Sequence, residues 1–240
     1  MHNAAFRAMR MDWTYDLLDV APEDLRDAVG RLRAQDVGGA NVTIPYKQKV
    51  MDQLDTIAPD ALRARAVNTI VNDRGRLGGY NTDIPAIRSA IERVGVEPRS
   101  VNAVVLGAGG AARAAAVAME GAHITFVTRH PEDADVPGKT IRWDDRSLAV
   151  LTRSADLLIN ATPLGRREEM PLRPAALPRA GAVVDLVYVT GGTPLVRKAR
   201  SLGLPAVDGW EVLLSQGAIS FLLWTGRSAP LEAMRETLQP

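Results

Sequence analysis

The chain has no cysteine among its 240 residues. Disulfides, thiolate nucleophiles and cysteine-ligated metals are thereby excluded, and the composition fits a reducing cytoplasm. Histidine is scarce: His2, His123 and His130 stand apart in the sequence and show no metal-ligand spacing, which argues against a catalytic metal. No apolar run approaches the roughly 20 residues that span a bilayer. The opening segment, Met1 to Arg7, lacks the apolar core of a signal peptide. Neither charge sign is in excess, with 29 basic and 28 acidic side chains and a net charge of +1, so no strong field recruits nucleic acid or an anionic membrane. Internal repeats and low-complexity tracts are missing too. What is there is an ordinary globular mixture, 46% apolar and 24% charged, long enough for one large domain or two modest ones.

Two local patterns stand out. Asn41-Val42-Thr43-Ile44-Pro45-Tyr46-Lys47 runs a short β-like segment into a proline and then presents one lysine. Later, Val104-Val105-Leu106-Gly107-Ala108-Gly109-Gly110-Ala111-Ala112 runs a strand into a glycine turn. An oriented lysine upstream of a dinucleotide-type turn points to redox chemistry on a small carbonyl or alcohol.

Element by element, residues 3–11 read as a helix and 12–18 alternate like a strand. Pro22 opens a helix running to about Arg33, with acids in its first turn. Gly38-Gly39 breaks it before a strand over 40–44, and a helix is expected near 47–54. A hairpin follows, with strands at 66–71 and 77–80 around Asn72-Asp73-Arg74-Gly75. A helix is expected from Ile84 to Val94. From Val101 strands alternate with helices: strands at 101–106, 123–128, 155–161, 181–187 and 205–207, helices at 109–119 and 194–202. This alternation predicts an α/β fold with a parallel sheet covered on both faces. A last long helix spans Trp210 to Thr225.

The run Gly107-Ala108-Gly109-Gly110-Ala111-Ala112 fits the dinucleotide pattern G-x-G-x-x-G/A in its required context, after a strand and opening a helix. The first glycine permits the turn, and the second admits a pyrophosphate to the helix N-terminus. Ala112 in third place still allows close helix–strand packing. At the end of the second strand an NAD enzyme usually carries an acid. This chain has Thr128-Arg129-His130, and a guanidinium suits a 2′-phosphate by charge and by fork geometry. NADP is therefore favoured over NAD.

In order along the chain stand Asn41–Lys47, Ala66-Val67-Asn68-Thr69, Asn81-Thr82-Asp83, Gly107–Ala112, Asn160-Ala161-Thr162 and Gln216-Gly217-Ala218. In these motifs the chain resembles the shikimate dehydrogenase family from Met1 to about Gly226. The resemblance implies a small α/β substrate domain, expected over 1–84 and 211–240, and a Rossmann-like NADP domain over 85–210, with the active site in the cleft between. It also implies reversible NADPH-dependent reduction of 3-dehydroshikimate to shikimate, on the route to aromatic amino acids. A monomer or homodimer acting on a small molecule is expected, without nucleic acid, membrane or metal.

By the same resemblance, Lys47 and Asp83 match the catalytic pair. A hydride delivered to a ketone leaves an alkoxide that needs a proton, and a lysine tuned by a neighbouring acid can supply it. Asp83 also reads as a helix cap, since Thr82-Asp83 precedes Ile84-Pro85. Thr43, Lys47, Asn68, Asp83, Tyr188 and Gln216 resemble substrate contacts. Gly107, Ala108, Gly109, Gly110, Ala111, Thr128, Arg129 and Thr162 resemble cofactor contacts, and Leu186 and Gly209 match positions that approach the nicotinamide.

Departures bear on this reading. The family's chain begins with a strand and a serine-x-serine loop that holds the substrate carboxylate, then a histidine-asparagine pair. Here His2-Asn3 stand at the start, and Met1 reads as an internal methionine taken as the first residue. Two charge-assisted hydrogen bonds of about 1.5–3 kcal/mol each would go with those serines. Asp133 stands where a second basic cofactor residue is often seen, and Ala86 where glycine is frequent. The alternatives are a quinate-type or other cyclic hydroxy-acid dehydrogenase using NADP or NAD, and an N-terminally truncated nucleotide-binding form with little activity.

Overall fold

Three runs of apolar residues, Ala103–Leu106, Leu157–Ile159 and Ala182–Val184, are buried at every position. They have no polar alternation, because each is covered on both faces, as in a parallel sheet. The computed structural model describes residues 1–238. Contacts divide the chain into two units, Met1–Thr82 with the chain from Leu214 onward, and Asp83–Leu213.

In the first unit, α1 (His2–Ala8) precedes a long irregular segment. There follow α2 (Leu25–Arg31), β1 (Gly39–Asn41), β2 (Thr56–Ile57), α3 (Pro59–Ala64), β3 (Thr69–Asp73) and β4 (Arg76–Tyr80). The four strands order as β1-β3-β4-β2. The β3–β4 hairpin is antiparallel with Asp73 opposite Arg76, β1 is antiparallel to β3, and β2 is parallel to β4. Leu25, Val29, Val50, Ala61, Val67, Ile70 and Leu77 form its core.

The second unit holds α4 (Asp83–Arg93), β5 (Asn102–Leu106), α5 (Gly110–Ala118), β6 (His123–Thr128), β7 (Lys139–Arg142), α6 (Leu148–Ser154), β8 (Leu157–Asn160), β9 (Ala182–Asp185), α7 (Pro194–Ser201) and β10 (Ala206–Val207). Its six strands are all parallel and order as β10-β9-β8-β5-β6-β7. The chain winds outward from β5 to β7, returns to β8 on the other side, and winds outward again. This is the doubly wound order of a dinucleotide-binding domain. Val104, Leu106, Val127, Leu158 and Val183 pack with Leu148 of α6 and Leu195 and Ala199 of α7 on one face. Ala103, Val105, Phe126, Leu157, Ile159 and Val184 are buried on the other. The chain ends in α8 (Gly209–Thr225) and α9 (Leu231–Glu236), with the division between units inside α8.

Two expectations are corrected, and four elements come in addition. The alternating segment 12–18 is not a strand. The Asn3 side chain occupies both backbone groups of Tyr15, accepting from its N–H at 2.7 Å and donating to its carbonyl at 2.9 Å, so no ladder forms there. The stretch 47–54 is a run of turns with a short 3₁₀ segment, Met51–Gln53, rather than a helix. The Lys47 carbonyl accepts from the Val67 N–H at 2.7 Å, and the Met51 N–H turns to Gln48 instead. Between Arg129 and Ser154 the chain adds β7 and α6, which the pattern did not suggest. Short β2 and α3 were likewise not anticipated, although Pro59 occupies the first turn of α3, where proline is favoured.

Phe221 is fully buried on α8, packing with Phe6, Leu214 and Met234. Phe221→Ala is expected to destabilise the first unit by about 3–5 kcal/mol, read as an earlier urea midpoint by tryptophan fluorescence.

Candidate functional site

The sheet reverses its winding between β5 and β8, and a ligand crevice is expected outside the carboxyl ends of these strands. Gly107 leaves β5 with φ of +104°, a conformation side chains resist. A β-carbon there would sit 3.1 Å from the Ala161 carbonyl oxygen and 3.2 Å from Thr162 Cγ2. The two segments leaving β5 and β8 therefore pass closely, at a distance where a β-carbon would be tight, and the positive φ favours glycine there as well. The turn then opens α5, whose capping residue, Gly109, supplies no side-chain hydrogen bond. Space around Gly109 is open, with no atom within 4 Å of where a β-carbon would stand. Backbone N–H groups at such an end suit an anion.

The other cofactor candidates follow strand ends along the same edge. Thr128 ends β6 and is half-buried; Arg129, next to it, is exposed. Thr162 follows β8, Leu186 follows β9 and Gly209 follows β10. Leu186 and Gly209 meet: a β-carbon on Gly209 would lie 2.7 Å from the Leu186 carbonyl oxygen and 2.6 Å from that of Val187. From β10 to β6 this edge spans four strand spacings, about 19 Å. The structure thus brings Gly107 to Ala111, Thr128, Arg129, Thr162, Leu186 and Gly209 to one edge of one sheet. Beside Arg129, the exposed His130, Glu132 and Asp133 hold ligand atoms within 4.8 Å of one another.

Two apolar runs end on buried polar residues at the same register, Asn160 opposite Asp185. Asn160 Nδ2 donates to Asp185 Oδ1 at 2.9 Å and to the Leu164 carbonyl at 2.9 Å. Asn160 Oδ1 accepts from the Thr162 N–H at 3.1 Å and hydroxyl at 2.7 Å. Asp185 also accepts from the Val187 N–H at 3.0 Å and the Thr193 hydroxyl at 2.6 Å. Burial pushes the Asp185 carboxyl up to about 6, against the pull of these three donors, with the Asp208 charge adding slightly to the rise.

In the first unit the substrate candidates rest on a second polar network. Asn68 is buried, and its Oδ1 accepts from the Thr82 N–H at 2.7 Å. Its Nδ2 donates to Thr82 Oγ1 at 3.1 Å, which lies 3.4 Å from Gln216 Oε1. Ser220 Oγ, one helical turn beyond Gln216, is 2.9 Å from Thr69 Oγ1 and 3.0 Å from Asn41 Nδ2. Asn41 Oδ1 accepts from the Tyr15 hydroxyl at 3.1 Å. Thr43 and Lys47 are tied to the segment leading into β3: the Val42 N–H donates to the Asn68 carbonyl at 2.8 Å, and the Val67 N–H to the Lys47 carbonyl at 2.7 Å. Thr43 is exposed; Lys47 and Gln216 are half-buried. Thr43, Lys47, Asn68 and Gln216 are therefore gathered in this unit. In the second unit, Asp83 is the first residue of α4 and half-buried, and the exposed Tyr188 packs its ring 5.0 Å from that of Trp210.

Several supporting residues have no site role in the sequence reading. Thr69, Thr82, Ser220 and Tyr15 bind Asn41 and Asn68, and Asp185 holds Asn160. A signal exists for Asp185 and Asn160, since each closes an otherwise apolar run with a polar side chain. None exists for Ser220, a common residue on an apolar helix.

The edge defines the class: a doubly wound nucleotide-binding domain whose glycine turn lies at the switch point, joined to a second α/β unit. Comparison narrows it. Residues 1–70 match the family described as "Shikimate dehydrogenase substrate binding domain", and residues 209–239 match "Shikimate 5'-dehydrogenase C-terminal domain". The chain is 43% identical to the shikimate dehydrogenase (NADP(+)) of Methanothermobacter thermautotrophicus, covering 100% of this chain and 90% of that one. The crystal structure of shikimate 5-dehydrogenase from Thermus thermophilus, in complex with NADP(H) and shikimate, superposes with a TM-score of 0.88. That protein is 33% identical, with 99% of this chain and 91% of that one covered. The 5-ketofructose reductase of a Gluconobacter strain is similar too, with a TM-score of 0.86 and 32% identity over 98% of this chain and 90% of that one. This chain belongs to the shikimate dehydrogenase family.

The Asp185 carboxyl yields a stability test. Its folded-state value of about 6 lies above the ordinary 3.8. The folded protein therefore holds this proton more tightly than the unfolded chain, and this group's contribution falls as pH rises from 4 to 6. Asp185→Asn removes that dependence. The variant's stability relative to the parent is expected to rise by up to about 3 kcal/mol between pH 4 and pH 7, measured by urea unfolding at each pH.

Proposed function

We propose that this chain is an NADP-dependent shikimate dehydrogenase, an oxidoreductase that reversibly reduces 3-dehydroshikimate to shikimate in the pathway to aromatic amino acids. The observation that carries the reading is similarity to NADP-dependent relatives over the whole of this chain and 90% of the relative, in a chain with an uncapped helix end at the sheet's switch point. Residues 85–210 take the cofactor, and residues 1–84 with 211–240 take the substrate. The turn Gly107–Ala111 fits a pyrophosphate, because its backbone N–H groups and open space around Gly109 leave room for one. Arg129 supplies the cation for a 2′-phosphate.

When bound, NADPH supplies the hydride that the ring ketone carbon accepts. Lys47 then donates a proton to the carbonyl oxygen as negative charge develops there, and in the reverse direction takes it from the hydroxyl. Asp83 orients the lysine and accepts a hydrogen bond from a substrate hydroxyl. The Asn68 amide has a fixed sense: its oxygen is engaged by the Thr82 N–H, so its nitrogen is the side that presents donors. Thr43, Tyr188 and Gln216 contribute the remaining hydroxyl and amide contacts to a polyhydroxylated ring. Thr162, Leu186 and Gly209 shape the nicotinamide end of the edge, and Thr128 the adenosine end. No helix among the described residues is long and apolar enough to cross a membrane. With no cysteine and a net charge of +1, the chain suits a cytoplasmic enzyme of small molecules, working as a monomer or homodimer.

A second reading is favoured by the similarity to a 5-ketofructose reductase: the same machinery acting on a related polyhydroxylated ketone or on quinate. Turnover on shikimate, quinate and 5-ketofructose with each cofactor form separates the two. Shikimate with NADP⁺ is expected to give the highest kcat/KM; a higher value on another substrate would transfer the assignment to it. Lys47→Ala is expected to lower kcat by about 10²–10⁴-fold while NADP⁺ affinity holds. Strong loss of NADP⁺ binding instead would show that Lys47 is not the proton donor.

A further inference from the structure

We propose that Asp185 is a positioning residue for the cofactor: its buried carboxylate fastens the chain leaving β8 to the chain leaving β9 and so sets the edge around Thr162 and Leu186. The inference rests on the reading of that edge as the NADP site. Asp185 and Asn160 are paired in register, and both side chains are buried. One carboxylate oxygen accepts from Asn160 Nδ2 and from the Val187 N–H; the other accepts from the Thr193 hydroxyl.

Each donor leads to a separate segment. Through Asn160 the bond fixes the amide's sense, since a flipped amide would turn its oxygen toward the carboxylate. That sense leaves Asn160 Oδ1 to hold both the N–H and the hydroxyl of Thr162. Through Val187 it holds the loop carrying Leu186 and Tyr188. Through Thr193 it holds the start of α7, because the same Thr193 oxygen caps the helix by accepting from the Val196 N–H at 3.2 Å.

The site lacks what a buried carboxylate ordinarily has. Among the described residues none of its hydrogen-bond donors is a lysine or an arginine, and Asp208, of like sign, adds to the rise in its pKa. Asp208 is itself 3.6 Å from Arg200. A buried charge without a cation is costly, and the neighbouring positions of these strands are filled by apolar residues. Leucine at 185 would suit the packing but would strand three donors. A carboxylate meets the need for several acceptor sites at one point between the loops.

The test compares Asp185→Leu, which removes every acceptor, with Asp185→Asn. In the latter the amide oxygen can still take Asn160 and Val187, and the amide nitrogen can donate to Thr193. KM for NADP⁺ is expected to rise by roughly tenfold or more in Asp185→Leu and to return close to the parent value in Asp185→Asn. A role in folding alone would lower the active fraction, and so kcat, without moving KM. Asn160→Ala cuts the same link from the other side; it is expected to raise KM for NADP⁺ likewise, and it decides the matter should Asp185→Leu not fold. An unchanged KM in the variants, or an Asp185→Asn as impaired as Asp185→Leu, would overturn the inference. A parent protein that binds no NADP⁺ would instead overturn the reading of the edge on which the inference rests.

Discussion

The segments leaving β5 and β8 pass so closely that a β-carbon at Gly107 would press on the Ala161 carbonyl. Much of the second unit follows from that approach. It lets the chain leaving β5 turn past the chain leaving β8, while the two paired strands lead the chain away in opposite directions. It also places the start of α5, with its uncapped backbone N–H groups, at the one point along the sheet edge where no crossover covers the crevice. The candidate cofactor residues come from strands far apart in sequence, yet they share this edge because the strands are parallel and end together.

Each unit sets its candidate contacts on a buried polar network. In the second unit Asp185 and Asn160 interrupt two apolar strands at one register and hold the loops beyond. In the first unit Asn41, Thr69, Thr82 and Ser220 surround Asn68 and reach Gln216. Apolar packing gives these cores their stability, but it does not aim an amide. The networks do, because each donor and acceptor admits few partners once buried. The position of a loop or an amide is thereby set by groups that need not touch a ligand themselves.

What was legible in the sequence tracks this division. The parallel sheet announced itself through unbroken apolar runs, and the glycine turn through its place between strand and helix. The motif residues Lys47, Asp83 and Gly107 could be singled out because their neighbours are as informative as they are. Segments whose backbone groups are taken by partners distant in sequence depart from the pattern. Residues 12–18 alternate as a strand does, but Asn3 takes the groups a ladder would need. Residues 47–54 have a helical look, but Val67 claims the Lys47 carbonyl. Both outcomes depend on partners distant in sequence. So do the parts played by Thr69, Thr82 and Ser220, whose residue types are common and whose meaning comes from one another.

The central claim is that the glycine turn takes a pyrophosphate and the Lys47 segment faces a polyhydroxylated acid. A crystal structure of the chain with NADP⁺ and shikimate tests it most directly. The account predicts the pyrophosphate over the backbone N–H groups of Gly107 to Ala111, the 2′-phosphate on Arg129, and shikimate hydroxyls within hydrogen-bond reach of Lys47, Asp83 and Asn68. Either ligand bound away from these residues would contradict it.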